Sequence, residues 1–525
     1  MSHRAFLTYK LVFFAFLFVL FAIKIFTFTD PDFGWHLRAG EAMVATGGLS
    51  HADSWNFVLP AYEWIDNEWP IDILFWKTWG TPYWTLVQVL FLLMSLAPFA
   101  YLLYKAKHLF SVVFIMIAGL YLFDIIGVRP QMVTYLFYFL MCIFLYGHIG
   151  KKAKRVLLFV MPAFFYVWAN MHSGFPAALL LWGLTIAGTF VHALLEKRLG
   201  AEIRTQLPDI ASLIASSIAT LCTPHHLALW VEILTSTSFI GMTRIAEWQS
   251  ALMHWRFTLV FFVIFGFGIL YMTSKKKDFP VLLPLAAFFY LFLKHVRMAP
   301  MFFFSALAAL DTGVERWYAW VREVQGKNAA GLRAQVESGA LVVTVLICLA
   351  MINTPNITTP VAPARDAIDA LHSETIERIS GNVFNDYQYG GWMMLAYPDQ
   401  KVFINGRMSQ WVLPDGRRMI ELYLDILDTP DAWKEVFATY DIERAILPVD
   451  TLPLVLADTD GADASETGET FAQQAFAVQV ERQSKTLASR LIANDWCVKY
   501  RNQDAVILAS PENCLRALPQ PSVAQ

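Results

Sequence analysis

Long apolar stretches, separated by short polar segments, recur along the first two thirds of the chain. A helix that crosses a bilayer needs about 17–25 predominantly apolar residues. Eleven stretches approach or reach this length, at 11–28, 83–104, 109–127, 131–149, 156–170, 174–194, 208–222, 257–273, 279–294, 299–315 and 338–353. Those at 156–170 and 208–222 are short, and re-entrant segments there would change the count. The pattern predicts a mainly α, polytopic helical membrane protein with about eleven transmembrane helices.

Lysine and arginine concentrate in alternate connections between these stretches. Basic clusters lie at 4–10, 105–107, 151–155, 197–204, 275–277 and 316–333, whereas the intervening connections hold scattered basic residues. Because connections rich in Lys and Arg stay on the cytoplasmic side, the N-terminus is predicted to be cytoplasmic. An odd number of spans then places the segment after residue 353 on the outer face.

Two polar segments on the predicted outer face are too long to be simple connections. The first outer loop, 29–82, is acidic, and its stretch 65–79 has apolar residues at the spacing of a surface helix. In the tail, apolar runs between turn residues predict strands at 382–386, 401–404 and 444–448 and a hairpin of 496–500 with 504–509, while 416–438 has the pattern of a helix. We therefore expect a transmembrane domain over 1–353 and a small extracytoplasmic α/β domain over 354–525.

Composition agrees with this class and excludes others. Hydrophobic residues make up 57% and charged residues 16% of the chain, against about 25% charged in soluble domains. The net charge of −3 offers no electrostatic basis for a nucleic-acid partner. Five cysteines are too few for a disulfide framework, although Cys497 and Cys514 can pair on an oxidising outer face.

The richest concentration of reactive side chains follows the first span, where Asp-Pro-Asp-Phe-Gly-Trp-His-Leu-Arg-Ala-Gly-Glu runs from Asp30 to Glu41. If 33–45 is helical, Asp32 and His36 share one face. A partly desolvated carboxylate there is a candidate general base. With equal weight, the two aspartates cap the helix, their carboxylates facing its N-terminus.

Arginines at the outer ends of spans form a second candidate set. They are Arg129, Arg244, Arg256 and Arg297. The planar guanidinium suits phosphate oxygens, so several at one depth would hold the phosphate of a lipid-linked substrate. The alternative for each is that it reaches the lipid headgroups or pairs with a nearby acid such as Glu247.

Other polar residues of the outer face are candidates for substrate contacts, namely His36, Arg38, Glu41, Asp53, Glu68, His172 and Glu247. Asp124 lies within an apolar stretch, where burying a charge is costly, so it is either functional or, being near the outer end, reaches water, and the same holds for Lys24. No histidine spacing indicates a metal site, so no metal ligand is predicted and a divalent cation stays an open question. The tryptophans are interpreted as interfacial anchors. In the tail, 385–387, 389–392 and 405–407 follow predicted strands and either contact a ligand or form packing turns.

These residues resemble those of the multispan GT-C glycosyltransferases, near the protein-mannosyltransferase and RgtA/B/C/D-like group, and more specifically a bacterial branch of it. The resemblance rests on the 30–41 motif and on 53–54, 68–69, 129–131, 170–172, 246–248 and 385–391. It covers most of the chain in outline, but the sharp motifs are confined to these short segments.

The resemblance implies transfer of a sugar from a polyprenyl-phosphate donor to a glycan, lipid or protein acceptor at the outer face of the bacterial cytoplasmic membrane. In such enzymes an acid of the first outer loop acts as base on the acceptor. That role falls on Asp32, with Asp30 as the alternative and Glu68 and Asp53 as candidate second carboxylates. Many relatives have two adjacent acids there, whereas Pro31 separates them here, so the choice between Asp30 and Asp32 stays open.

Two other functions compete with transfer. A lipid or glycan transporter would have ionisable groups along a path across the bilayer, whereas most polar residues here cluster at the outer face. A non-catalytic scaffold of cell-envelope assembly would keep the fold and tolerate Asp32→Asn, which a glycosyltransferase would not.

Overall fold

The computed structural model describes residues 3–27, 30–49, 52–146, 151–238, 245–251, 278–352, 365–373, 376, 380–451 and 486–514. By its internal packing the chain divides into two units. Unit 1 comprises Met1–Asp30 and Asn67–Pro360, and unit 2 comprises Pro31–Asp66 and Val361–Gln525. Part of the first outer loop therefore packs with the tail, while the domain boundary expected at 353/354 stays a prediction.

Unit 1 is built of α-helices, because a backbone within a bilayer has to satisfy its hydrogen bonds inside the chain. Its described helices are α1 (His3–Thr27), α3 (Trp69–Thr78), α4 (Tyr83–Lys105), α5 (Leu109–Leu122), α6 (Gln131–Leu145), α7 (Lys151–Ala169), α8 (Phe175–Leu195), α9 (Leu199–Ala219), α10 (His226–Ser238), α11 (Phe279–Lys294), α12 (Ala299–Ala308), α13 (Leu310–Gln325) and α14 (Ala329–Ile352). The surface helix expected over 65–79 is the shorter α3, which has Pro70 in its first turn.

Several of these helices have the dimensions of membrane spans. Among the described residues, Arg4–Thr27, Tyr83–Lys105 and Phe175–Leu195 are each long and apolar enough to cross a bilayer. Leu199–Cys222 and His226–Ser236 qualify only together and bend by 101° where they meet, as in a broken span or a re-entrant loop. A helix occupies every predicted span except 257–273, which lies outside the described residues. The chain is a multi-pass membrane protein, and the count of eleven stays a prediction.

Close approaches and buried aromatic rings hold unit 1 together. Helix α8 packs on α11, and a Cβ added to Gly188 would overlap the Phe279 carbonyl oxygen. Helix α7 packs on α9, where Ser212 donates to the Leu158 carbonyl at 2.6 Å. Trp168 and Trp182 are completely buried. Trp168 also donates a hydrogen bond to Thr134 near the start of α6.

Unit 2 combines short helices with one mixed sheet. The helices are α2 (Phe33–Thr46), α15 (Arg365–Leu371), α16 (Gly390–Ala396), α17 (Met419–Asp428), α18 (Ala432–Thr439), α19 (Leu487–Ala493) and α20 (Pro511–Cys514). The strands β1 (Asn382–Asn385), β2 (Ile442–Pro448), β3 (Cys497–Arg501) and β4 (Ala505–Ala509) lie in the order β1-β2-β4-β3. The β1–β2 pair is parallel and the other two pairs are antiparallel. The small α/β fold, the first and third predicted strands and the hairpin are confirmed.

Two predictions for the tail are wrong in detail. The stretch 401–404 does not join the sheet, because Val402 pairs with the backbone of 55–57 and the Asn385 side chain binds the backbone of Phe403 and Ile404. The helix expected over 416–438 is divided into α17 and α18, since Pro430 cannot donate a helical hydrogen bond. The pairing of Cys497 with Cys514 is present as a disulfide.

Candidate functional site

The candidate acid Asp30 forms an ion pair with Arg129 in unit 1. Arg129 Nε lies 2.7 Å from Asp30 Oδ2, and Asp30 is only 8% exposed. Lys24 lies within electrostatic range of both residues and of Asp124. Two cations and two acids thus form one cluster at the end of the first span. Lys24 and Asp124, for which reaching water was one of two interpretations, belong to this cluster.

The short turn Val296–Met298, before α12, brings a second arginine into the same neighbourhood. Arg297 Nη1 lies 2.6 Å from Glu247 Oε1, and its guanidinium lies 5.2 Å from the centre of the Trp248 ring. Tyr135, in the second turn of α6, is within electrostatic range of Arg129, Arg297 and Glu247. Two guanidinium groups therefore converge near one tyrosine, each with an acidic partner. The predicted arginines Arg244 and Arg256 lie outside the described residues.

Glu68 and His172 meet beside Thr134, which lies in the first turn of α6. His172 Nδ1 accepts the Gly174 backbone N–H at 3.0 Å and lies 2.8 Å from Thr134 Oγ1, which in turn accepts from Trp168 Nε1 at 2.8 Å. A ring nitrogen that accepts a hydrogen bond carries no proton, so the neutral imidazole is protonated at Nε2. That atom lies 3.5 Å from Glu68 Oε1. The network orients the imidazole N–H toward the carboxylate.

A further hydrogen bond joins the segments that contain Glu68 and His172. Trp69 Nε1 donates to Asn170 Oδ1 at 3.1 Å, and Asn170 Nδ2 donates to the Tyr166 carbonyl at 2.8 Å. Segments 68–69 and 170–172, which the sequence singled out separately, are therefore one structural element of unit 1.

The rest of the 30–41 motif belongs to unit 2, where Asp32 directly precedes α2 and the residues from Phe33 to Glu41 lie within that helix. Asp32 stands at the N-cap position of α2 and is partly exposed, and its side chain makes no capping hydrogen bond. The His36 backbone N–H donates to the Asp32 carbonyl at 3.4 Å, and the His36 ring is buried. Arg38 pairs with Glu41 one turn later in the same helix.

Asp53 is completely buried in unit 2 and is bound to Arg407. Its Oδ1 accepts the Trp55 N–H at 2.8 Å and the Asn56 amide at 2.8 Å, while its Oδ2 lies 2.5 Å from Arg407 Nη2. The Arg407 guanidinium carbon lies 4.7–5.6 Å from four indole ring centres, which are those of Trp35, Trp55, Trp64 and Trp411. We call these four rings and Arg407 the tryptophan cage.

The cage was not predicted from the sequence, which suggested that the tryptophans are interfacial anchors. Three of its four rings are buried, and the interpretation as anchors is wrong for them. Tyr62 stacks on Trp411 with 4.5 Å between ring centres. The cage thus joins the first outer loop to the tail within unit 2.

The tail motif around Asn385 is occupied by contacts within the unit. Asn385 is completely buried and binds the backbone of segment 403–404, as described above. The Asp386 carboxylate accepts hydrogen bonds from the Tyr423 hydroxyl at 2.8 Å and from the Gln388 backbone N–H at 3.0 Å. The pKa of Tyr423 is raised well above its usual value, mainly because the hydroxyl is buried and secondly because the Asp386 carboxylate is close. These contacts favour the packing alternative for this motif over ligand contact.

No group of three His, Cys, Asp or Glu side chains that could hold a metal ion occurs in the part of the chain that the structure describes. The requirement for a divalent cation stays an open question.

Comparison with known proteins gives a fold and no closer relative. Neither a family model nor a curated protein matches the sequence. The apo crystal structure of the Archaeoglobus fulgidus oligosaccharyltransferase matches with a TM-score of 0.50 and 9% identity, over 95% of this chain and 80% of that one. The same enzyme tethered to an acceptor peptide gives 0.51 and 11%, over 97% and 74%. The archaeal oligosaccharyltransferase AglB from Archaeoglobus fulgidus, in complex with an inhibitory peptide and a dolichol-phosphate, matches with a TM-score of 0.50 and 12% identity, over 98% of this chain and 75% of that one.

Such low identities show the fold alone. The chain has a GT-C-like fold over nearly its whole length, which confirms the resemblance to GT-C glycosyltransferases at that level. Membership of the mannosyltransferase or RgtA/B/C/D-like group stays a prediction.

Proposed function

We propose that the protein transfers a sugar from a polyprenyl-phosphate donor to a glycan, lipid or protein acceptor at the outer face of the bacterial cytoplasmic membrane. The observation that carries the proposal is the paired charge at the start of α6, in a chain whose fold matches an oligosaccharyltransferase over 95–98% of its length. One of those structures contains a dolichol-phosphate, which is a lipid phosphate of the proposed donor class.

Arg129 and Arg297 are the proposed ligands of the donor phosphate. Each contacts a carboxylate of unit 1, and the planar guanidinium fork with its five N–H groups matches the oxygens of a phosphate. The N-terminus of α6 adds the partial positive charge of a helix end. When the bond between the sugar and the phosphate breaks, the phosphate leaves with the bonding electrons, and these positive charges stabilise it.

The base that activates the acceptor hydroxyl is proposed to be Asp32. Its carboxylate would take the proton as the acceptor oxygen forms its bond to the anomeric carbon. Asp30 is the alternative, but its oxygen is engaged by Arg129, so accepting a proton there would disrupt a buried ion pair. We therefore assign Asp30 to holding Arg129. His36, Arg38, Glu41, Asp53, Glu68, His172 and Glu247 remain predicted substrate contacts.

The test is sugar transfer by the purified protein in nanodiscs, with a panel of polyprenyl-phosphate sugars, with and without EDTA. Asp32→Asn should lower the turnover about 10²–10⁴-fold, the usual contribution of a general base. Asp30→Asn should weaken donor binding, because Arg129 loses its partner. The matched control is Asp209→Asn. Asp209 is as buried as Asp30, with 8% exposure, and its carboxylate lies 2.9 Å from Lys154 Nζ, so the substitution removes a comparable ion pair. The control should stay within about twofold of native turnover, a margin well below the base effect.

The same assay separates the competing functions. Loss of transfer in Asp30→Asn alone would move the base to that residue. Native turnover in both variants would overturn the assignment of an aspartate base. The absence of turnover with every donor, together with lipid binding that neither substitution changes, would overturn the proposal in favour of a scaffold or transporter. The EDTA arm measures the need for a divalent cation.

A further inference from the structure

Glycines hold the backbone on both sides of Asp32 against the tail. A Cβ added to Gly391 would overlap the Pro31 carbonyl oxygen, and one added to Gly34 would overlap the Gly391 carbonyl oxygen. Pro31 and Gly34 flank Asp32 in the sequence, and all these residues belong to unit 2. The main chain around Asp32 thus rests directly on the first turn of α16.

A third glycine contacts the Asp32 side chain itself. A Cβ added to Gly406 would overlap Asp32 Oδ1 and would lie 2.9 Å from Cγ and 3.1 Å from Oδ2. Gly406 is not among the glycines with a left-handed backbone, so its conformation does not require glycine. The requirement is one of space, because the carboxylate occupies the volume that a side chain at position 406 would fill.

The segment that presents Gly406 is itself fixed. The completely buried Asn405 accepts the Arg407 backbone N–H at 3.1 Å through Oδ1, and the Tyr387 hydroxyl donates to the Gly406 carbonyl at 3.3 Å. Next in the chain, Arg407 is held by Asp53 and the tryptophan cage, and its side chain is 3% exposed. Because this backbone is anchored on both sides of Gly406, an added methyl group would displace Asp32 rather than the tail.

We infer that Gly406 is a positioning residue for Asp32, and that segment 405–407 of the tail sets where the carboxylate meets the acceptor hydroxyl. The inference rests on the proposed function, in which Asp32 is the base. The tail would then affect the rate of transfer by positioning the Asp32 carboxylate, without a tail residue contacting the substrate.

The test is Gly406→Ala in the transfer assay. Displacing a reacting group by about 1 Å can cost about 10²-fold in rate, so kcat should fall by about that factor while KM for the donor stays unchanged. The matched control is Gly48→Ala in the same unit, because nothing lies within 4 Å of a Cβ there and its backbone is not left-handed. This control should keep native kcat and KM.

A double-mutant cycle separates positioning from general damage. If Gly406 acts through Asp32, Gly406→Ala should not lower the residual activity of Asp32→Asn any further. A further loss of about 10²-fold in that background would mean structural damage and would overturn the inference. Native kcat in Gly406→Ala would overturn it as well.

Three further outcomes keep the test decisive. If Gly406→Ala does not fold, Asp32→Glu replaces it, since the longer side chain moves the carboxylate and leaves 405–407 unchanged. A similar fall in kcat with native KM is then expected, and native kcat would contradict the inference. If Asp32→Asn itself keeps native turnover, the assignment of the base fails. If Asp32→Asn is inactive while Gly406→Ala and Asp32→Glu are fully active, only the positioning inference fails.

Discussion

Replacing Arg407 by methionine should destabilise unit 2 more than any surface substitution. The change removes the charge from the tryptophan cage and leaves Asp53 Oδ2 without its cation in a completely buried place. Removing one partner of a buried ion pair costs about 3–5 kcal/mol. Lost contacts with four indole rings add about 0.5–1 kcal/mol each, and methionine offsets nearly all of this addition because it packs against the same rings. We expect a total loss of about 4 kcal/mol.

The loss should be visible as a lower melting temperature. One kcal/mol shifts the midpoint by about 2–4 °C in a unit of some 150–250 residues, so a fall of about 10 °C is expected. Tryptophan fluorescence of the full-length protein in detergent reports the change, since four indoles surround the mutated position. The control is Arg417→Met, which removes an arginine that is about half exposed and paired with Asp415 and Asp425. Exposed pairs contribute about 0–1 kcal/mol, so its midpoint should move by about 4 °C or less.

A second substitution identifies the cause. Asp53→Asn in the Arg407→Met background removes the uncompensated charge and should restore part of the lost stability. Equal midpoints for Arg407→Met and Arg417→Met would refute the reasoning, because the cage would then contribute no more than a surface pair. A double variant less stable than Arg407→Met alone would refute the assignment of the loss to the buried charge.

Two further predictions concern the tail. The disulfide between Cys497 and Cys514 closes a loop with a separation of 17 residues, so replacing both by serine should lower the free energy of unfolding by about 3 kcal/mol. Reductant should lower the melting temperature of the native protein and leave that of the variant unchanged. A melting temperature of the native protein that reductant does not change would contradict this prediction. The raised pKa of Tyr423 means that its stabilising effect is complete below its usual pKa of 10.0 and is lost as the pH rises toward the folded value. The difference in unfolding free energy between native protein and Tyr423→Phe should therefore narrow above pH 10, and a constant difference there would show that Asp386 and burial do not act as described.

Local sequence predicted most of the elements because local causes determine them. An apolar run in a bilayer forms a helix whatever its neighbours are, and helices occupy the predicted spans among the described residues. Strands β1, β2 and the hairpin also followed from apolar runs between turns. The run 401–404 has the same local pattern, but its backbone partners come from Asn385 and from 55–57, which lie far away in the sequence.

The candidate residues could be chosen by type, but their partners could not. Asp30 with Arg129, Glu68 with His172, and Asp53 with Arg407 each join positions about a hundred or more residues apart. No periodicity carries information over such a distance. Two contacts were anticipated, namely the alternative that an outer arginine pairs with a nearby acid such as Glu247, which Arg297 does, and the pairing of Cys497 with Cys514.

The discontinuous make-up of unit 2 has a consequence for biosynthesis. Its first part ends at Asp66 and its second begins at Val361, so some 300 residues must be made between them. At about 5–20 residues per second, the early part waits about 15–60 s for its partner. During that time Asp53 lacks Arg407, and Gly406 has not yet reached Asp32. If translation stops early, the released chain lacks the tail that contacts Asp32, the proposed base. Its cage tryptophans are then exposed to chaperones and proteases. This exposure allows quality control to distinguish unfinished molecules from complete ones.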